Sequence, residues 1–242
     1  MTTVNVNAVE PAGATLTIGE SGDTVKVNDS VNVNTVKDAG GNTLWVSNGS
    51  GVLSSVNSAF GDALVLLSTQ TASADSEIEF TSGIDSTYKE YIFKYVGMHP
   101  ASQSNFQFQT STDGGSSYGV TTTTTYFRAQ HTETGSGGAL GYQTSADLAQ
   151  STSDQILLHD QSAGADSGGI GILHLFNPSS TTFVKNFYSR NGNFSPSGSY
   201  VAYIFDAFAA GFFNTTSAID AVIFRYSSGN IDAGTIKMYG VS

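Results

Sequence analysis

The chain of 242 residues has no cysteine. Disulfides and thiolate metal sites are therefore excluded. Charge is scarce: 12% of residues are Asp, Glu, Lys or Arg, about half the usual share. The nine Lys and Arg are scattered through the sequence against 20 Asp and Glu, giving a net charge of −11. Neutralising a phosphate backbone takes several cations on one face, so this pattern argues against a nucleic-acid partner. Long hydrophobic runs are missing too. Ala63–Leu67 and Ala207–Phe213 are the longest, far short of the ~20 apolar residues of a spanning helix, and no membrane insertion is expected. The opening Met1-Thr2-Thr3-Val4-Asn5 has neither a basic nor an apolar targeting region. The expectation is a protein made in a cytoplasm, with an exit route such as assembly into a particle released by lysis. No nucleophile elbow, HExxH helix or P-loop occurs, so neither an enzyme nor a cofactor is expected.

Gly, Ser, Thr and Asn are abundant instead, together with 15 Phe and 11 Tyr. That mixture suits an all-β protein with many turns and a real core. The aromatics are unevenly placed, and none precedes Trp45. Up to that point the sequence is a series of very short alternating strands: Thr3–Asn7, Thr15–Ile18, Thr24–Asn28 and Val31–Asn34. Period two marks one face of a β-strand. Each strand offers two or three small apolar side chains, mostly Val. At ~25 cal/mol per Å² such a stripe does not offset ~1–2 kcal/mol per residue of backbone ordering. Residues 1–60 therefore read as an extended β arm that needs partners. A hairpin is expected around Asn48-Gly49-Ser50-Gly51, since Asn-Gly supplies the positive φ of a tight turn. Trp45 is expected to plug the junction between arm and body.

Residues 61–242 read as a separate head. Longer aromatic strands are expected at Glu77–Phe80, Tyr88–Gly97, Asn105–Thr110, Gly119–Ala129, Gln155–His159, Gly169–Phe176, Thr182–Ser189, Tyr200–Ala209, Ala218–Tyr226 and Gly234–Val241. Ten strands without a helix point to a β-sandwich of jelly-roll type. The β-branched, polar Thr121–Thr125 suits an exposed or edge strand. The Gly/Ser-rich stretches 134–141 and 162–169 read as long loops.

Ser111–Tyr118 fits an Asp-box hairpin turn, in which Asp113 caps backbone amides, Gly115 takes a left-handed conformation and Tyr118 tucks under. Asp75, Glu77 and Glu79 share one strand face, which suits a solvated edge better than a Ca²⁺ site. His174, inside an apolar strand, reads as a core histidine. His159, Asp160 and Asp166 are close in sequence but lack an accompanying nucleophile pattern. The most ligand-like stretch is Asn186–Tyr200. Its Tyr188, Arg190, Asn191 and Tyr200 combine rings, a guanidinium and an amide, the chemistry that holds sugars. The competing reading makes it a strand end and hairpin loop with its aromatics in the core.

Gly41–Phe60 resembles a short module of structural proteins from tailed bacteriophages, especially those of marine bacteria, where it follows an arm of Val/Thr/Asn strands. Gly229–Val241 resembles the closing strand of β-sandwich virion proteins, and Tyr91–Val96 and Asn105–Tyr118 also fit. The resemblance implies a virion structural protein assembled in the host cytoplasm. It also implies a homotrimer with intertwined N-terminal arms that contact other virion proteins, and globular heads. A fibre or spike touching a host-surface glycan is the leading expectation. A capsid decoration protein and a glycan-degrading β-sandwich enzyme are the alternatives. The resemblance supplies no catalytic residue.

Overall fold

The computed structural model describes residues 34–38, 40–47, 49–50, 53–56, 64–135, 137–197 and 200–241. The arm strands expected between Thr3 and Val33 lie outside the described residues. The chain divides into two compact units, Met1–Gly61 and Asp62–Ser242.

In the first unit, β1 (Thr35–Lys37), β2 (Thr43–Ser47) and β3 (Leu53–Val56) form an antiparallel sheet in chain order. The β1–β2 turn is tied by Asp38, whose Oδ1 accepts from the Asn42 amide at 2.8 Å, while Gly41 takes φ 82°. The expected hairpin joins β2 to β3, with Gly49 at φ 79°. Trp45 is half-buried in this sheet, opposite Val36 on one side and Val56 on the other.

Among the described residues the second unit contains twelve strands: β4 (Leu64–Asp75), β5 (Glu77–Phe80), β6 (Glu90–Pro100), β7 (Ser104–Ser111), β8 (Thr122–Thr132), β9 (Ala139–Tyr142), β10 (Gln155–Gln161), β11 (Gly168–Phe176), β12 (Lys185–Ser197), β13 (Tyr200–Phe213), β14 (Ala221–Tyr226) and β15 (Ile231–Val241). The described residues contain no helix. Eight strands form one antiparallel sheet in the order β4-β15-β6-β11-β12-β13-β8-β9, and four form a second in the order β10-β7-β14-β5. The sandwich expected from the strand pattern is present. The strand order does not carry the further expectation of a jelly roll.

Alternation explains the core. Tyr91, Phe93 and Tyr95 point from β6 into the space between the sheets, where they meet Phe106 of β7 and Phe224 of β14. Rings from opposite sheets touch: Phe93 and Phe224 lie 5.4 Å apart, and Phe108 of β7 meets Phe187 of β12 at 5.0 Å, nearly edge to face. Each such pair adds ~0.5–1.5 kcal/mol beyond the area it buries. A smaller cluster of Tyr126, Ala146, Ile156, Ala207 and Ala209 continues the core below β8 and β13.

Four expectations need correction. β4, twelve residues long, is missing from the expected strands, because its Ser-Thr-Gln-Thr middle has little apolar alternation. β9 occupies a stretch read as loop, and pairs with Phe127–Gln130 of β8. Thr121–Thr125 is not an open edge, although Thr125 is exposed. Residues 148–151 cover it, through the bonds Thr122 N to Ser151 O at 2.8 Å and Thr124 N to Leu148 O at 2.9 Å. Finally, β12 runs on to Ser197, so Arg190–Asn193 is strand and not hairpin loop.

Candidate functional site

The large sheet presents its second face outward. In β12, Phe187, Ser189, Asn191 and Asn193 are buried, so Tyr188, Arg190 and Gly192 lie on the outer face by period two. Cross-strand register then assembles rows. One row runs Lys237, Lys94, Ile172, Arg190, Phe208, Phe127, Tyr142 across seven strands. The next contains Tyr239, Ile92, His174, Tyr188 and Ala210.

Side chains within these rows are ordered by one another. Arg190 forks onto Asp206, Nε donating to Oδ1 at 3.1 Å and Nη2 to Oδ2 at 2.9 Å. The hydrogen bonds from Asp206 and its charge raise the Arg190 pKa further. The guanidinium also lies 5.1 Å over the Phe208 ring, which stacks on Phe127 at 4.9 Å. His174 stacks on Tyr188 at 4.5 Å and pairs through Nδ1 with Glu90. His174 is therefore an outer-face residue and not the core histidine expected.

A hollow of about 600 Å³ opens beside the first row, on the side away from the second. Its walls are Val96, Ile170, Ile172 and Ile204, and Lys94, Arg190 and Asp206 stand at the rim. Two glycines make it. Gly97, at φ 66°, sits where the β6–β11 register steps from Tyr95–Gly171 to Met98–Gly169. This bulge keeps Val96 outward, 63% exposed, while Met98 returns to the core. Gly192 omits a side chain beside Ile170, whose Cγ1 would lie 3.6 Å from a Cβ built there.

Of the sequence candidates, Tyr188 and Arg190 therefore share this face. Asn191 turns inward: it is 2% exposed, accepts from the Tyr95 hydroxyl, and donates to Ser189 Oγ at 3.0 Å. Burial holds the Tyr95 phenol well above its ordinary pKa. Tyr200 opens β13, and its side chain lies outside the described residues. Lys94, Ile170, Ile204 and Asp206 were missed. The alternation of Ile170 and Ile172 was a signal, but apolar residues on both faces of β11 hid which face is outward.

The remaining candidates occupy other places. The Asp113 carboxylate accepts from Ser111 Oγ at 2.6 Å and from the Ser117 amide at 2.9 Å. The Ser111 and Ser117 hydroxyls bring its pKa down to about 2. Gly115 sits at φ 87°, and an added Cβ would lie 2.7 Å from Thr81 Cγ2 and 2.9 Å from the half-buried Tyr118 hydroxyl oxygen. These are the demands of a tight turn. Glu77 and Glu79 lie on β5, an edge strand, with Glu77 3.9 Å from Arg225, and no metal-binding group of His, Asp or Glu occurs among the described residues. His159 accepts through Nδ1 from Arg128 Nη1 at 2.9 Å; burial and the neighbouring guanidinium lower its pKa, which keeps the ring neutral.

No protein-family model, curated protein or solved structure matches this chain.

Proposed function

We propose that this chain is a virion structural protein of a tailed bacteriophage, a fibre or spike subunit whose head contacts a host-surface carbohydrate. The outer face of the eight-stranded sheet carries the reading. An outward sheet face normally alternates to polar residues, yet this one exposes Phe127 at 41%, Tyr188 at 46%, Ile204 at 56% and Ile170 at 57%. Contiguous exposed apolar surface marks an interaction site. Rings beside an anchored guanidinium and a hollow suit the apolar faces and hydroxyls of sugars. Among the described residues the only carboxylate at the rim, Asp206, is engaged by Arg190, which favours holding a ligand over acid–base chemistry on it. The Val-striped arm of residues 1–60 and the resemblance at both ends of the sequence support the virion assignment. In this reading the arm joins three copies and attaches them to other virion proteins.

Sedimentation of the full chain and of a chain beginning at Asp62 tests the assembly. The full chain is expected at three times its monomer mass, and the shortened chain as a folded monomer. A monomeric full chain would overturn the arm-driven trimer.

A further inference from the structure

The cations of this acidic protein are not evenly spread in space. Lys237 of β15 and Lys94 of β6 are direct cross-strand partners on the outer face, and Arg190 follows two strands further along the same row. Like charges placed opposite one another destabilise a sheet. Among the described residues neither lysine has a carboxylate within ion-pair distance. Lys94 lies 5.3 Å over the Tyr239 ring and stands at the rim of the 600 Å³ hollow. One lysine at the rim of an aliphatic hollow and a second on the next strand, neither paired with a carboxylate, are matched by a ligand that brings an anion and an apolar face together.

We propose that the hollow over Gly192 takes an acidic sugar of a surface polysaccharide. Its carboxylate, sulfate or phosphate sits at Lys94 and Lys237, and its ring faces Ile170, Ile172 and Ile204. The proposal rests on the carbohydrate reading above and names the class of carbohydrate. The net charge of −11 repels polyanions from the molecule as a whole, so any retention of one must come from a local site. A bilayer surface is a poorer match, because stable attachment there takes clusters of about four to eight Lys or Arg. A second copy of the same face is poorer still. Two-fold pairing presents identical patches to each other, and complementary charge is lacking between one lysine pair and another.

The test measures retention of the full chain on immobilised polygalacturonate, dextran sulfate and neutral dextran, with phosphatidylglycerol vesicles in parallel. Retention on the acidic polymers, weakening as salt rises from about 0.05 to about 0.5 M, is the expected result. Lys94→Gln with Lys237→Gln should weaken it roughly tenfold, the sum of two exposed ion pairs. Gly192→Val, which fills the hollow without touching a charge, should weaken it as well. Both variants keep buried residues unchanged, and their circular dichroism should match the parent. Equal retention on neutral dextran, unchanged by the lysine substitutions, would overturn the acidic-sugar inference and leave the carbohydrate reading standing. Retention on the acidic polymers that both variants preserve would place anion binding elsewhere and overturn the inference. Retention by the vesicles alone, or by nothing, would overturn both.

Discussion

Gly171 and Gly192 stand on adjacent paired strands and face opposite sides of the sheet. A Cβ built on Gly171 would lie 2.4 Å from the buried Tyr95 ring, whereas one on Gly192 meets nothing closer than 3.6 Å. Gly171→Ala must therefore displace Tyr95, and with it the bond to Asn191. Overpacking of this kind costs ~1–3 kcal/mol. Gly192→Ala has room, and it restricts the unfolded chain, for a gain of up to ~1 kcal/mol. Urea denaturation of the two variants should give midpoints on opposite sides of the parent. Equal midpoints would mean that Tyr95 is not seated on Gly171. The same contrast shows what a sequence conceals at this scale. In the sequence Gly171 reads as Gly in an apolar strand and Gly192 as Gly in a loop, and neither reading shows the ring from the neighbouring strand that sits against Gly171 alone.

Short elements are governed by turns, and the Asp113 turn has a measurable signature. Its carboxylate is held down to about 2 by hydroxyl and amide donors, below the ~3.9 of an unfolded aspartate. A depressed folded pKa contributes stability that is present above pH ~4 and lost as pH falls through about 2. Thermal unfolding of the parent and Asp113→Asn should differ at neutral pH and converge near pH 2. A difference that persists undiminished at pH 2 would show that the turn does not need the charge. This element was legible in the sequence because its donors and acceptor are local, within Ser111–Ser117. The strand at Glu77–Phe80 was legible too, in its period-two alternation. β4 and β9 were not. The pairing of β4 is written in β15, at the far end of the chain, β9 follows its partner β8 across a Gly/Ser-rich stretch that reads as loop, and their own residues carry little alternation. The candidate site was half legible. Tyr188 and Arg190 were visible as ligand chemistry, but Asn191 was assigned with them because a loop was expected where the strand continues, and a strand sends its neighbour to the opposite face. The lysine pair was invisible, since residues 94 and 237 become neighbours only through the β6–β15 register.

At the scale of the whole head, the sheet that bears the hollow begins with β4 and β15 side by side. Their ladder runs from Leu64–Val241 at one end to Asp75–Ile231 at the other. Mechanically, this gives the molecule a strong and a weak direction. Handles at residues 64 and 241 pull on two strand ends at the same corner, and the rungs separate in succession, as in a zipper. Handles at 64 and 231 pull the strands past each other along their lengths, and every rung bears the load together. Single-molecule extension should therefore give a clearly higher rupture force for the second pair of handles, and similar forces would contradict this ladder. A pull entering at Leu64 and resisted by a grip deeper in the sheet works the ladder along its length, the direction in which it is strongest.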